Sequence, residues 1–286
     1  MAIIYDEAQS IFHLQTQVSS YVMQVVWGKY LSHLYWGRRG EQYRGSRAII
    51  WKDRGFAPNP DDTDRTFSLD TLPQEYPQTG NGDFRTCAYG VRQENGSRIS
   101  RPPYDGYEIL PGKRKLQGLP ASFGTPEDVE TLVIRLRDEV IDLVVELEYN
   151  VFDQRGIITR SVRFINEAQR PVTLTKMLSM SVDFREQEFD VLTLYGAHNN
   201  ERNMDRRPLT SGIVQIESLR GTSSPQQSPF LALMRKNADE DQGEVYGVQF
   251  VYSGNFLASA PVQLCGLRRR AAAHCDYRTA PRVWRH

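Results

Sequence analysis

The chain has 286 residues, with 35 basic and 35 acidic side chains, so its formal net charge is zero. That length holds one large all-β domain or two smaller ones, and the apolar content is adequate for a core. The balanced charge speaks against nucleic acid or an anionic membrane as a partner, and it leaves little self-repulsion near neutral pH.

The opening residues MAIIYDEAQSIFHL lack a basic region followed by a long apolar run, so no signal peptide is expected. No stretch approaches the ~18 apolar residues a membrane helix needs. A soluble, cytoplasmic protein is expected. The first strong element is YVMQVVWG, where Tyr21, Met23 and Val25 alternate with Val22, Gln24 and Val26. A turn at Gly28 and a second strand, KYLSHLYWG, complete a hairpin or meander.

The stretch 52–85 breaks this pattern. It is rich in Asp, Arg, Pro, Gly and Thr, as befits a long functional or disordered loop. Its aromatics Phe56, Phe67, Tyr76 and Phe84 favour an ordered one. Asn95-Gly96 and Asp105-Gly106 are turn signals. Asn95-Gly96-Ser97 also fits a glycosylation sequon, but without a secretion signal it reads as a turn.

From 131 onward period two is clearest. TLVIRLRD sets Leu132, Ile134 and Leu136 against Arg135 and Arg137. IDLVVELEY sets Leu143, Val145, Leu147 and Tyr149 against Glu146 and Glu148, which read as a solvated face. IITRSVRFIN and VTLTKMLSMSVDF follow, then VYGVQFVYSG later in the same style. One-faced strands at this spacing predict antiparallel sheets packed face to face. From Ala258 to His286 the pattern stops. ASAPVQLCGLRRRAAAHCDYRTAPRVWRH clusters Arg and shows no strand period. The division is therefore a well-patterned 1–258 and an aberrant, disordered tail at 259–286.

Chemistry-bearing motifs are sparse. The cysteines are Cys87, Cys265 and Cys275, an odd set that makes no disulfide framework. Cys87 reads as a buried thiol. His13, His33 and His198 lack the spacing of a zinc site, and neither metal nor cofactor is expected. No nucleophile elbow, phosphate loop or dinucleotide fingerprint occurs. The loop gathers Asp53, Asp61, Asp62, Asp64, Asp70 and Asp83 with Arg54, Arg65 and Arg85. Ion pairs that pin the loop are one reading. The other is a polar rim for sugar hydroxyls, since carboxylates accept from paired hydroxyls and Arg donates in a fork.

At this loop the chain resembles a known family. DRTFSLDTLPQEYPQTGNGDFR, from Asp64 to Arg85, is similar to the N-terminal domain of glycoside hydrolase family 36 α-galactosidases. NGSRI from Asn95, KLQGLPA from Lys115, ITRSVRFIN from Ile158, ERNMDRRPL from Glu201, ESLRGTSS from Glu217, SPFLAL from Ser228 and DQGEVYGVQFVYSGNFLA from Asp241 extend the likeness in order to about residue 258.

The resemblance implies an all-β, antiparallel β-supersandwich, here missing its terminal strands. In the family a (β/α)₈ catalytic barrel and a small β domain follow it. Such enzymes hydrolyse terminal α-galactosides of the melibiose and raffinose type with retention. Their aspartate nucleophile lies in a Lys-Trp-Asp motif. That motif is absent here, and Trp51-Lys52-Asp53 only scrambles it. Both catalytic aspartates are thus expected to be missing, and the chain is expected to be an N-terminal fragment, inactive alone. A frameshift near codons 258–265 would give such a tail, and the lost strands would leave sheet edges unpaired.

The family also implies a homotetramer, with a loop of this domain leaning over a neighbour's barrel. By resemblance Asp53 and Arg65 contact the α-galactoside sugar. A family tryptophan in a Gly-Ala-Trp motif corresponds to His198 of Gly196-Ala197-His198, with Asn200 following where the family has arginine. Ser224-Pro225-Gln226 and Leu219 depart from the family pattern too. The substrate-binding candidates are Asp53, Arg65 and His198. The alternative function is a free-standing carbohydrate-binding or assembly module. A mutarotase, with His198 and Glu201 as its pair, is a third.

Overall fold

The computed structural model describes residues 2–43, 49–53, 55–184, 188–265, 268–277 and 282–284, the positions from 263 onward by backbone alone. The strands in chain order are β1 (Ile3–Asp6), β2 (Ile11–Gln15), β3 (Ser19–Val26), β4 (Tyr30–Arg38), β5 (Tyr89–Arg92), β6 (Tyr104–Pro111), β7 (Glu130–Asp138), β8 (Leu143–Phe152), β9 (Ile157–Asn166) and β10 (Val172–Phe184). Then come β11 (Phe189–Ala197), β12 (Asn200–Pro208), β13 (Gly212–Ser218), β14 (Gln227–Arg235), β15 (Val245–Gln249), β16 (Phe256–Cys265), β17 (Arg268–Tyr277) and β18 (Arg282–Trp284). All their pairings with an assigned register are antiparallel. The fold class is all-β and antiparallel. Among the described residues the one helical element is a 3₁₀ turn at Asp153–Arg155, and no helix is long and apolar enough to cross a membrane.

The chain forms two compact units. The first comprises Met1–Gln117, Ala121–Thr175 and Pro281–His286. It holds two meanders, β1-β2-β3-β4 and β6-β7-β8-β9. The β3–β4 turn places Trp27 at φ 54 and Gly28 at φ 66, left-handed geometry that lets a tight hairpin follow the strand twist. Asp105-Gly106 is not a hairpin turn. It lies inside β6, where Gly106 at φ 138 absorbs a register shift against β7.

The sheets meet around one carboxylate. Glu75 comes from the long β4–β5 connection and is fully buried. It accepts from the Tyr21 hydroxyl of β3 at 2.7 Å and the Tyr149 hydroxyl of β8 at 2.8 Å. It pairs with Arg160 of β9 at 2.6 Å, and His33 Nδ1 of β4 lies 3.4 Å away. Arg160 also donates to Tyr21 at 3.1 Å and caps the Tyr149 ring 4.8 Å from its centroid. Burial by itself would raise the Glu75 carboxyl. Arg160, with His33 and Tyr21, outweighs burial and holds it below the ordinary 4.5. Burial pushes the Tyr21 and Tyr149 hydroxyls up, so they stay protonated as donors.

Both faces of the first sheet are covered. Away from Glu75, Ile11, Val22, Val26 and Leu34 pack with Ile49, Phe67, Leu69 and Leu72 of the β4–β5 connection. This is why β3 reads as apolar on both faces. The expected solvated face of β8 is also buried. Glu146 and Glu148 are about nine-tenths covered and Asn150 almost wholly so. Arg114 and Arg163 approach Glu146 at 3.5 and 3.7 Å, and Thr131 lies 2.7 Å from Asn150. Alternation located the face correctly but not its covering.

The second unit comprises Gly118–Pro120 and Lys176–Ala280. One of its sheets runs β12-β11-β14-β15. The other sets β13, β16, β17 and the end of β10 side by side. Phe184, Phe189 and Tyr246 cluster with centroids 4.8–6.0 Å apart, and Arg235 lies 4.5 Å over Phe189.

The backbone after Ala258 departs from the sequence expectation of a tail without strands. β16 runs on to Cys265, and β17 fits between β16 and β10, with Ala258 opposite Cys275 and Val182 opposite Ala273. A ladder needs only backbone N–H and C=O groups, so a strand can complete a sheet without apolar alternation of its own. Residues 266–267, 278–281 and 285–286 of the expected tail lie outside the described residues.

Replacing Glu75 by Gln leaves Arg160 buried without its charge partner and is expected to cost about 3–5 kcal/mol in urea unfolding. Because the folded carboxyl sits below 4.5, its stabilisation is complete above that pH and is lost as pH falls through the lower folded value. The acid limb of stability against pH should therefore be shallower in Glu75→Gln than in the parent chain.

Candidate functional site

The β4–β5 connection carries the candidate site, and the fold sorts its charges. Asp61 Oδ1 accepts the Thr63 amide and hydroxyl at 2.8 and 2.6 Å, and Asp64 does the same for Thr66 at the same distances. These are Asx turns, and the Thr63 bonds hold the Asp61 carboxyl below its ordinary value. Asp70 takes the Ser68 hydroxyl. Asp83 is buried, bonded to Gln74 at 2.6 Å and ion-paired to Arg85 at 2.6 Å. Arg85 donates onward to the carbonyls of Leu69, Asp70 and Leu72, closing the inner part of the loop. Pinning by ion pairs is therefore real, and it belongs to Asp83 and Arg85.

Asp53 and Arg65 behave differently. Their side chains lie 3.4 Å apart and are 59% and 62% exposed. The Lys52 amide donates to Thr66 O at 2.9 Å, which sets the two arms side by side. On the same two arms, Trp51 packs on Phe67 with centroids 5.4 Å apart, and Phe67 also meets Trp27 at 4.0 Å and Tyr30 at 5.5 Å. Trp51 and Trp27 each keep over a third of their surface in solvent. A charged pair thus stands beside a partly bared aromatic shelf. A carboxylate can accept from sugar hydroxyls, a guanidinium can donate, and an indole face suits the C–H side of a pyranose. Of the loop aromatics read from the sequence, Phe67 and Tyr76 are buried and Phe56 and Phe84 are exposed. Arg54 lies outside the described residues.

His198 belongs to the second unit, in the tight turn between β11 and β12, and its side chain is exposed. Asn199 there has φ 61, and Gly196 is required because a Cβ would come within 2.3 Å of Asn200 O. Glu201 accepts the Asn199 amide at 2.9 Å, so its carboxylate serves the turn. His13 bonds Ser20 at 2.8 Å and His33 faces Glu75. Among the described residues no three His, Cys, Asp or Glu side chains gather as a metal site. Cys87 is half-buried.

Sequence reasoning missed Trp51, Asn59 and Glu75 as organisers of this loop. Asn59-Pro60-Asp61 carried a turn signal that could have flagged Asn59. Nothing local marks Glu75, whose side-chain partners His33, Tyr21, Tyr149 and Arg160 all lie far away in sequence.

Residues 29–272 match the family model of the glycosyl hydrolase family 36 N-terminal domain. The chain is 50% identical over 270 residues to α-galactosidase AgaA of Geobacillus stearothermophilus, covering 94% of this chain and 37% of that protein. The solved structure of α-galactosidase AgaB from the same organism superposes with a TM-score of 0.90 at 48% identity, covering 96% of this chain and 37% of that one. A variant of AgaA solved with raffinose superposes at 0.88 with 49% identity, covering 93% and 37%. The chain thus spans well under half the length of these relatives.

The two ion pairs should respond differently to substitution. Arg85→Ala, which strands buried Asp83, is expected to cost about 3–5 kcal/mol in denaturant unfolding. Asp53→Asn, at the exposed pair, should cost no more than about 1 kcal/mol.

Proposed function

The chain belongs to glycosyl hydrolase family 36 through its N-terminal domain, and we propose that it serves an α-galactosidase as the domain that brings Asp53 and Arg65 to a terminal α-galactoside. The substrate class is of the raffinose and melibiose type. The observation that carries this reading is the exposed Asp53–Arg65 pair on a loop anchored by Glu75 and Arg85. An exposed pair adds little to stability, so its placement is better suited to contact with a ligand. Supporting it, a relative sharing half its residues with this chain over the matched length is an α-galactosidase, and a variant of that relative was solved with raffinose.

Catalysis itself is assigned to residues beyond these 286. Hydrolysis with retention needs a nucleophilic carboxylate and a second carboxyl as acid and base, close together across the glycosidic bond. The Lys-Trp-Asp sequence that would supply the nucleophile by family resemblance does not occur here. We further propose His198 as a sugar contact and a homotetramer as the assembly.

The purified chain is expected to show no turnover of a nitrophenyl α-galactoside, and robust turnover would overturn the assignment of catalysis. A chimera in which this chain replaces the matched part of AgaA should hydrolyse raffinose. In it Asp53→Ala and Arg65→Ala should each lower kcat/KM by about tenfold or more, the loss of one charge-assisted hydrogen bond. An active chimera indifferent to both substitutions would sink the sugar-contact reading. His198→Ala in the same chimera tests that residue by itself.

A further inference from the structure

We propose that Asn59 is a positioning residue that sets the path of Arg65, an inference resting on the reading of the Asp53–Arg65 pair as a sugar contact. The side-chain amide of Asn59 carries two hydrogens, and both are used on one arm of the loop. Nδ2 donates to Arg65 O at 2.9 Å and to Phe67 O at 2.6 Å. Those carbonyls flank Thr66 O, which accepts the Lys52 amide at 2.9 Å. The 65–67 arm is therefore bonded along both edges. Lys52 holds one, and a single side chain, in place of a neighbouring strand, holds the other.

Arg65 needs such support from its backbone. Its side chain is mostly exposed, so packing does not fix it, and a solvent-screened pair with Asp53 is too weak to hold the loop. The order of cause runs from Asn59 to the arm, and from the arm to the pair. The rest of the loop delivers Asn59 to its place. Its own amide donates to Ala57 O at 2.9 Å, and the turns at Asp61 and Asp64 bring the chain back toward it. The chemistry at this position is narrow. Asp has nearly the same shape but offers oxygen where both carbonyls require a donor. Asn59 touches neither Asp53 nor the Arg65 guanidinium in these bonds, so it acts through the backbone alone.

The test is amide hydrogen exchange in the full chain, followed by NMR, for the parent, Asn59→Ala and Asn59→Asp. The Lys52 amide should exchange about tenfold faster in both variants, while Val145 in the centre of β8 stays unchanged as the report on global stability. An unchanged Lys52 amide in Asn59→Asp overturns the inference, as does equal acceleration at Val145. In the AgaA chimera, Asn59→Ala should raise KM several-fold with kcat held, and it should add nothing when Arg65 is already Ala. No change in KM where Arg65→Ala does have an effect also overturns it. Faster Lys52 exchange in a chimera indifferent to Asp53 and Arg65 strikes the sugar reading alone and leaves the positioning of the arm standing.

Discussion

Everything in the first unit turns on a single carboxylate placed where water cannot reach it. A buried, ionised Glu75 is tolerable only because Arg160, two tyrosine hydroxyls and His33 converge on it. Those groups come from β3, β4, β8 and β9, so satisfying the charge requires both sheets in register at once. Glu75 itself belongs to neither sheet. It is the point at which a connection of some fifty residues is fastened into the core. A hydrophobic residue there would give burial without direction, whereas the carboxylate admits one arrangement of donors.

The fastening explains how so polar a loop can be ordered. Phe67, Leu69 and Leu72 fill the outer face of the first sheet, and Arg85 closes the segment by gathering three carbonyls. Between these anchors the chain is free to present side chains. Of the acidic residues, Asp61 and Asp64 shape turns and Asp83 is buried with Arg85. Asp53 is left in solvent against Arg65, beside the Trp27–Trp51–Phe67 shelf. A rigid scaffold with an exposed polar loop is the usual economy of a binding surface, because contact groups held in place lose little entropy when a ligand arrives.

Burial also governs the faces that looked ordinary. The outward row of Glu146, Glu148 and Asn150 on β8 is covered, with arginines near Glu146 and a threonine beside Asn150. Period two says which residues share a face, but it is silent on whether the face meets water or protein. The same limit applies to the last strands. β17 closes a ladder through backbone groups, for which its side chains gave no signal.

The sequence by itself determined the class, the strand-by-strand alternation from 130 to 184 and the kinship with family 36, because each rests on local or linear pattern. It also placed the charged loop and named Asp53 and Arg65 through resemblance. Only the tertiary structure decided which of the loop's carboxylates were left for solvent and which pinned the core, that Glu75 fastens the loop, and that Asn59 bonds the carbonyls of Arg65 and Phe67. The reason is distance along the chain. A carboxylate's role depends on the donors around it, and for Glu75 those donors come from strands tens of residues away that only folding brings together.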